Sequence, residues 1–189
     1  MTFEEMKSLP DDKQKEIISR IKSVRTNYKV VNYSGVYGVG APKLARESGL
    51  PLKDARKLLE DYWERNWSVK VIAKEQYVKT LKDGTMWLKN PVSGFYHSLR
   101  FEKDIFSTLN QSTGVYCFDT FVAYCAAAGV EIPMQYHDEI LVECDDDEQS
   151  INDTKERLQN AITKTNEKVK LNVKLSIDFQ TGHDYASVH

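Results

Sequence analysis

The sequence predicts an α+β protein that is mostly helical. Apolar residues recur at three- and four-residue steps through most of the chain, as they do on one face of an amphipathic helix. Near the middle, the turn pair Asp83 and Gly84 separates two short apolar runs, which is typical of a β-hairpin. The 189 residues are 41% hydrophobic and 29% charged, the composition of a globular chain rather than a disordered or fibrous one.

Charge and cysteine content narrow the classes of function. A formal net charge of −2 argues against a protein that coats nucleic acid by bulk electrostatics, but it leaves room for a local basic stripe. The three cysteines lack CxxC spacing and leave one unpaired, which indicates reduced thiols in an intracellular protein. The most apolar run, residues 114–129, is short for a membrane span and contains Asp119. We therefore expect a cytoplasmic protein with no membrane partner.

The first part of the chain is predicted to be helical. Residues 2–22 are highly charged and carry a narrow apolar seam, so we expect a surface helix that leads into the next element. Residues 23–38 predict a second helix, which ends near Gly38. Three further helical patterns follow, over residues 41–49, over residues 52–66 and through Val69 and Ile72.

The second part of the chain combines strands and helices. A hairpin over residues 77–89 and a turn around Asn90 and Gly94 lead into a further strand. Residues 106–128 are apolar almost all round, which predicts a helix buried on most sides. The remaining predicted elements are two short strands within residues 130–144, an amphipathic helix opened by the acids of residues 145–148, and a half-buried strand over residues 173–179, where apolar and polar residues alternate.

Arg25, Lys29, Tyr33 and Tyr37 are spaced by four residues and are followed by Gly38. On a helix, this spacing places two cations and two aromatic rings on one slanting stripe, with steps of about 6 Å. Such a stripe can bind a polyphosphate through its cations and stack a base or sugar against its rings. The alternative is structural, with the cations solvated and the tyrosines capping the core.

His137, Asp138 and Glu139 lie between two apolar arms of the chain. A hairpin turn at this point would expose adjacent carboxylates at the edge of a sheet, and carboxylate oxygens are ligands that hard divalent cations prefer. The alternative is a polar turn without a ligand. A zinc site of the HExxH type is not indicated, because no second histidine lies at helical spacing.

Polar residues also mark the start of the predicted buried helix. Asn110, Gln111 and Ser112 either cap this helix or face a partner in a groove, and capping is the simpler explanation. Arg100, at the end of the β element, has the same two interpretations.

In this order, the segments resemble the C-terminal part of a family A DNA polymerase, the class that includes bacterial DNA polymerase I and phage replicative polymerases. The stripe from Arg25 to Gly38 matches the family's motif B at all five positions, and QYHDEILVE from Gln135 to Glu143 resembles its motif C. NQSTG, from Asn110, resembles the start of the long palm helix. The resemblance covers residues 23–189.

The resemblance implies both a fold and a division of the chain. Residues 23–105 would form the fingers with a small β element, and residues 106–189 would form the C-terminal part of the palm, with a motif C β-hairpin. Residues 1–22 would be a charged lead-in helix.

The implied activity is that of a DNA-directed DNA polymerase, a nucleotidyltransferase that adds deoxynucleotides to a primer. Arg25 and Lys29 would bind the triphosphate of the incoming dNTP, with Lys29 a candidate proton donor to the pyrophosphate. Tyr33 would stack on the sugar and base, while Tyr37 and Gly38 would lie beside the template base.

The resemblance also implies a metal site and contacts to primer-template DNA. Asp138 and Glu139 would bind Mg²⁺ in a two-metal site, with His137 near the primer terminus. Gln111 and Arg100 would contact the minor groove of the primer-template duplex.

A second carboxylate motif, the family's motif A, is expected but not found. Two metal ions require carboxylates from separate strands, and the family draws one from a buried strand that ends in Asp, a small residue, Glu and Arg. The nearest segment, residues 11–16, has Lys13 in place of the small residue, and no apolar strand precedes it. We therefore expect a split polymerase, completed by a second chain that carries motif A and the thumb, in a bacterial or phage-infected cell.

Two other functions remain open from the sequence. The chain could be an inactive or regulatory polymerase fragment, which keeps the fold and has lost catalysis. Residues 44–63, LARESGLPLKDARKLLEDYW, also resemble a helix-turn-helix DNA-binding protein, with two short helical patterns around Gly49.

Overall fold

The computed structural model describes residues 3–188, except for the side chains of residues 3, 4 and 27. Residues 1 and 2 of the predicted segment 1–22 lie outside the described residues, as does residue 189 of the predicted segment 106–189. Within the described range the protein is α+β and mostly helical, as predicted. Its elements are α1 (Phe3–Lys7), α2 (Asp11–Val36), α3 (Ala41–Ser48), α4 (Leu52–Arg65), α5 (Trp67–Glu75), β1 (Val78–Thr80), β2 (Met86–Lys89), β3 (Tyr96–Leu99), α6 (Ile105–Ala127), β4 (Met134–Tyr136), β5 (Glu139–Leu141) and α7 (Glu148–Val169), with short 3₁₀ helices at Glu102–Asp104 and Tyr185–Ser187.

The chain divides into two compact units. One comprises the residues up to Leu88 together with Ser98–Thr108, and the other comprises Lys89–His97 together with the residues from Leu109 onward. The first unit holds α1 to α5, and the second holds most of α6 and all of β4, β5 and α7. Each unit has its own hydrophobic core.

The core of the first unit lies between α2, α3 and α4. Leu44 and Ala55 are completely buried there, and Leu59 is nearly so. The turn between α3 and α4 is made at Gly49, whose φ of 71° is in the left-handed region that glycine adopts without strain. Val30 and Val31 pack on this core, so the C-terminal half of α2 is fixed against it.

The predicted hairpin at Asp83 and Gly84 is confirmed. β1 and β2 pair antiparallel, with Val78 opposite Leu88, and β3 adds a third strand in the order β1-β2-β3. The Asp83 carboxylate accepts hydrogen bonds from the Thr85 backbone N–H at 3.0 Å and from its hydroxyl at 2.8 Å. These bonds favour the ionised carboxylate and lower the pKa of Asp83.

The core of the second unit is formed by α6, α7 and the segments that follow them. Phe121 and Cys125 of α6 meet Leu158 and Ile162 of α7, and Val130 closes the cluster. Helix α7 begins as the acidic pattern predicts, because the Asp147 side chain accepts a hydrogen bond from the Ser150 N–H at 2.9 Å.

Helix α2 differs from its prediction. It does not stop at residue 22, where the sequence separates a lead-in helix from the next helix, but runs without interruption from Asp11 to Val36. No glycine or proline lies near this point, and the Thr26 hydroxyl donates to the Lys22 carbonyl within the helix at 2.9 Å. The predicted helix over residues 23–38 and the part of the lead-in helix from Asp11 onward therefore form one helix, whereas residues 3–7 of the lead-in form the separate helix α1.

The final strand prediction, over residues 173–179, is wrong, because this segment forms no strand within the described residues. The alternation is nevertheless reflected in burial, since Leu175 and Ile177 pack on the core of the second unit. The Asn166 side chain in α7 accepts a hydrogen bond from the Leu175 N–H at 2.8 Å and donates one to the Leu175 carbonyl at 2.9 Å. The segment is thus fixed to a helix side chain instead of a neighbouring strand.

Helix α6 is less buried than predicted. Its buried residues, which include Cys117, Phe121 and Cys125, recur every four residues along one side, whereas Val115 is exposed. Across residues 3–188, no helix has both the length and the hydropathy that crossing a membrane requires.

Candidate functional site

The motif B-like stripe forms on the last turns of α2. The Lys29 Nζ lies 5.7 Å from the centre of the Tyr33 ring, within the range of a cation–π contact. The Tyr33 and Tyr37 rings stack, with centroids 6.2 Å apart and planes inclined by 18°. Tyr33 is 49% exposed and Tyr37 is 39% exposed. Both tyrosines are therefore exposed and do not cap the core, which argues against the structural alternative.

The opposite side of the same helix segment is packed. Ser34 and Gly35 are buried, and a Cβ at Gly35 would overlap the Tyr62 ring of α4. Tyr62 in turn meets Trp63 edge to face, with centroids 5.2 Å apart, and burial raises the pKa of its hydroxyl. This close approach of α2 and α4 holds the stripe in a fixed orientation on the first unit. The sequence analysis did not predict this contact.

Gly38 ends the stripe. Its φ of 65° is left-handed, and its N–H donates to the Gly35 carbonyl at 2.9 Å. A Cβ at this position would make only an ordinary van der Waals contact with Lys103, at 3.6 Å, so the left-handed φ is what favours glycine here. The glycine thus allows the chain to turn directly after Tyr37 without strain.

The charge around the stripe is positive. Arg25 and Lys29 are exposed, and the sequence contains no acidic residue between Glu16 and Glu47. No carboxylate of the same helix therefore lies within two turns of either cation. A triphosphate, with several negative charges, is the kind of ligand that this combination of cations and rings can bind.

The motif C-like segment forms the predicted hairpin. β4 and β5 pair antiparallel with Tyr136 opposite Glu139, so His137 and Asp138 are the two residues of the turn. Asp138 is exposed, whereas Glu139 is half-buried at the start of β5. The turn therefore exposes the Asp138 carboxylate, and Glu139 follows it in the sequence at the start of β5.

His137 adopts a strained backbone. Its φ is 54°, in a left-handed region that costs a residue with a Cβ about 1–2 kcal/mol. Its ring meets Tyr136 at 4.4 Å between centroids, with planes inclined by 66°. Strain of this kind concentrates at functional sites, since the surrounding structure must offset it. Behind the turn, Ile132, Ile140 and Val142 fix the hairpin on the core of the second unit.

The polar residues of α6 do not cap it, so the capping interpretation is wrong. The helix begins at Ile105, which places Asn110, Gln111 and Ser112 inside it. Asn110 and Gln111 are on the exposed side, and Ser112 faces a different partner, Asn90. Gln111 is thus on an accessible helix surface. Arg100 is exposed directly after β3 and belongs to the first unit.

Asn90 is a structural residue that sequence reasoning recognised only as part of a turn. It is completely buried, and its Nδ2 donates to the hydroxyls of Ser112 and Thr113 at 2.7 and 2.9 Å. Its Oδ1 accepts from the backbone N–H groups of Val92 and Ser93 at 2.8 and 3.1 Å. The amide thereby ties the 90–94 turn to α6 near Gln111. An asparagine before a proline has no sequence signal that separates this role from that of an ordinary turn residue.

The helix pair α3 and α4 confirms the helical patterns around Gly49 but offers a mixed surface. Exposed acids accompany the cations on both helices, with Lys43 paired to Glu47 at 3.6 Å and Lys57 to Asp61 at 3.5 Å. An open groove beside α4 has the same character, and its lining residues are Ala41, Arg56, Leu59, Glu60, Trp63, Glu64 and Lys70. A duplex-binding surface needs a dominant positive charge, so this pair does not favour helix-turn-helix recognition.

The candidate residues thus form two local groups. Arg25, Lys29, Tyr33, Tyr37 and Gly38 come together on the first unit, and His137, Asp138 and Glu139 come together on the second. Among residues 3–188, no group of three or more histidine, cysteine, aspartate or glutamate side chains is arranged to hold a metal ion. Compared with known proteins, the sequence matches no protein-family model and has no significant match among curated proteins.

Proposed function

We propose that the chain is the C-terminal portion of a family A, DNA-directed DNA polymerase and that it acts as one part of a split enzyme. The observation that carries the proposal is the stripe on α2, where a lysine lies over one of two stacked, solvent-facing tyrosines at a helix end without nearby acids in the sequence. The strained hairpin that exposes Asp138 beside Glu139 supports it independently.

Each group of residues has a chemical task in this proposal. Arg25 and Lys29 bind the triphosphate of a dNTP, and Lys29 donates a proton to the oxygen that leaves with pyrophosphate. Tyr33 stacks on the sugar and base, and Tyr37 with Gly38 closes the site beside the template base. His137, Gln111 and Arg100 contact primer-template DNA.

The donor atoms of Asp138 and Glu139 are hard carboxylate oxygens, which fit Mg²⁺. Two magnesium ions, when bound, supply activation of the primer hydroxyl and stabilisation of the leaving group. Adjacent carboxylates on one turn are one half of such a site, so a further carboxylate has to come from another segment. Asp11 and Asp12 do not resemble that segment, because they lie in the first turn of α2 and follow no strand. A partner chain carrying motif A and the thumb is therefore part of the proposal.

Nucleotide binding by the isolated chain tests the stripe directly. Calorimetric titration with a dNTP should detect binding that Lys29→Ala weakens by about tenfold, the worth of one charge-assisted contact. Arg20→Ala is the matched control, since Arg20 also lies exposed on α2, on a different side from Lys29, and it should leave the affinity unchanged. Equal losses of dNTP affinity in both variants would show that the helix attracts the nucleotide only through its overall positive charge, and this would contradict the proposal.

A further inference from the structure

The N-terminal half of α2 carries an exposed apolar seam that the proposed nucleotide site does not use. Ile17, Ile21, Val24 and Tyr28 are separated by four, three and four residues. Ile21 is 56% exposed, Val24 is 48% exposed and Tyr28 is 70% exposed. The seam is continuous along the helix with Val31, which packs on the core of the first unit.

The spacing of the seam identifies the kind of surface that would cover it. Alternating steps of three and four residues give the narrow stripe of a coiled-coil helix, whereas a helix that lies on a membrane needs a broad apolar face. One residue per turn is enough for a second helix to pack along α2. Ile18, which is half as exposed as Tyr28, widens the seam only at its N-terminal end.

The charges beside the seam define the chemistry of that second helix. Arg20 and Arg25 lie on its two sides, at positions from which coiled-coil helices form ion pairs with a partner. No acidic residue lies between Glu16 and Glu47. Two copies of this chain paired through residues 17–28 would therefore place the arginines against cations or neutral side chains. Like charges in such positions disfavour self-association and favour an acidic partner.

We propose that residues 17–28 of α2 are a docking site for an acidic amphipathic helix of a partner protein. The apolar side chains of that helix would pack between Ile17 and Tyr28, and its glutamates or aspartates would meet Arg20 and Arg25. The seam and Arg20 lie on a different side of α2 from Lys29 and Tyr33, whereas Arg25 borders both this docking site and the proposed nucleotide site.

A pair of designed peptides tests the proposal on the full chain. Each is a fluorescent three-heptad helix with leucine at the seam positions, and the flanking positions are glutamate in one and lysine in the other. In fluorescence anisotropy at low salt, the glutamate peptide should bind the protein at least about tenfold more tightly than the lysine peptide. Ile21→Ser should weaken the glutamate peptide by about tenfold, because it removes one buried apolar side chain.

The charge of the flank is tested by a matched pair of variants. Arg20→Glu should remove most of the preference between the peptides, because only Arg25 remains to attract the glutamates, while Lys22→Glu, the same charge change away from the seam on the same helix, should keep it. Circular dichroism confirms that each variant remains helical. Equal affinity for both peptides, or full affinity in Ile21→Ser, would overturn the proposal. Two results would overturn the proposal in favour of another occupant of the seam. Binding to phosphatidylserine vesicles that depends on Ile21, without binding of either peptide, would identify a lipid surface. Dimerisation that depends on Ile21, measured by sedimentation, would identify a second copy of the chain.

Discussion

Gly35 allows α2 and α4 to approach closely enough to fix the tyrosine stripe, and its replacement has a calculable effect. A Cβ at Gly35 would lie 2.6 Å from Cδ1 and 2.8 Å from Cζ of the Tyr62 ring, well inside van der Waals contact. Overpacking of this kind costs about 1–3 kcal/mol. The substitution Gly35→Ala also improves helix propensity by up to about 1 kcal/mol. We therefore expect a net destabilisation of roughly 0–2 kcal/mol.

Gly114→Ala is the matched control, because it makes the same change inside α6, where a Cβ would meet no atom within 4 Å. It should stabilise the protein by about 0.5–1 kcal/mol. Urea unfolding followed by circular dichroism should thus separate the two variants by about 0.5–3 kcal/mol in the free energy of unfolding. Each kcal/mol corresponds to roughly 2–4 °C in Tm. Equal shifts in the same direction would refute the close packing at Gly35. Recovery of stability when Tyr62→Leu is combined with Gly35→Ala would identify the ring as the cause.

Three further predictions follow from buried or strained residues. Asn90→Ala should lower the free energy of unfolding by about 2–4 kcal/mol, because the groups that bond to the buried Asn90 amide, such as the Ser112 hydroxyl and the Val92 N–H, lose that hydrogen bond. A loss of less than about 1 kcal/mol in urea unfolding would contradict this role of Asn90. His137→Gly should stabilise the hairpin by about 1 kcal/mol, since it relieves the left-handed strain, and a loss of stability would show that the ring contact with Tyr136 outweighs it. Burial raises the pKa of the Cys125 thiol to about 11, so the thiol loses its proton at lower pH in the unfolded chain than in the folded one. The free energy of unfolding should therefore fall as pH rises from about 8.5 towards 11. If the urea midpoint of a Cys125→Ala variant falls as steeply over this range as that of the native chain, this effect is contradicted.

Local sequence signals predicted the helices, the two hairpins and their turns. Gly49 ended α3 because glycine alone tolerates φ of 71° without strain, and Asp147 capped α7 because its side chain reaches the Ser150 N–H. The four-residue spacing from Arg25 to Tyr37 likewise predicted a stripe whose members share one side of α2. Each of these features depends on residues within a few positions of one another.

Features that depend on distant partners were not predictable. Residues 173–179 alternate because Leu175 and Ile177 are half-buried, but whether such a segment pairs with a strand depends on what lies beside it, here Asn166. The contact of Gly35 with Tyr62 and the buried amide of Asn90 are tertiary in the same sense. Continuity of α2 through residue 22 was missed because a change in composition was interpreted as an element boundary.

Primer extension is the most direct measurement of the central claim. The purified chain is mixed with primer-template DNA, dNTPs and Mg²⁺, alone and together with the protein encoded by each adjacent reading frame. The proposal predicts no extension by the chain alone, and extension with one neighbouring chain that Asp138→Ala or Lys29→Ala abolishes. Strong extension by the chain alone, extension that survives Asp138→Ala, or no extension with either neighbouring chain would contradict a split polymerase.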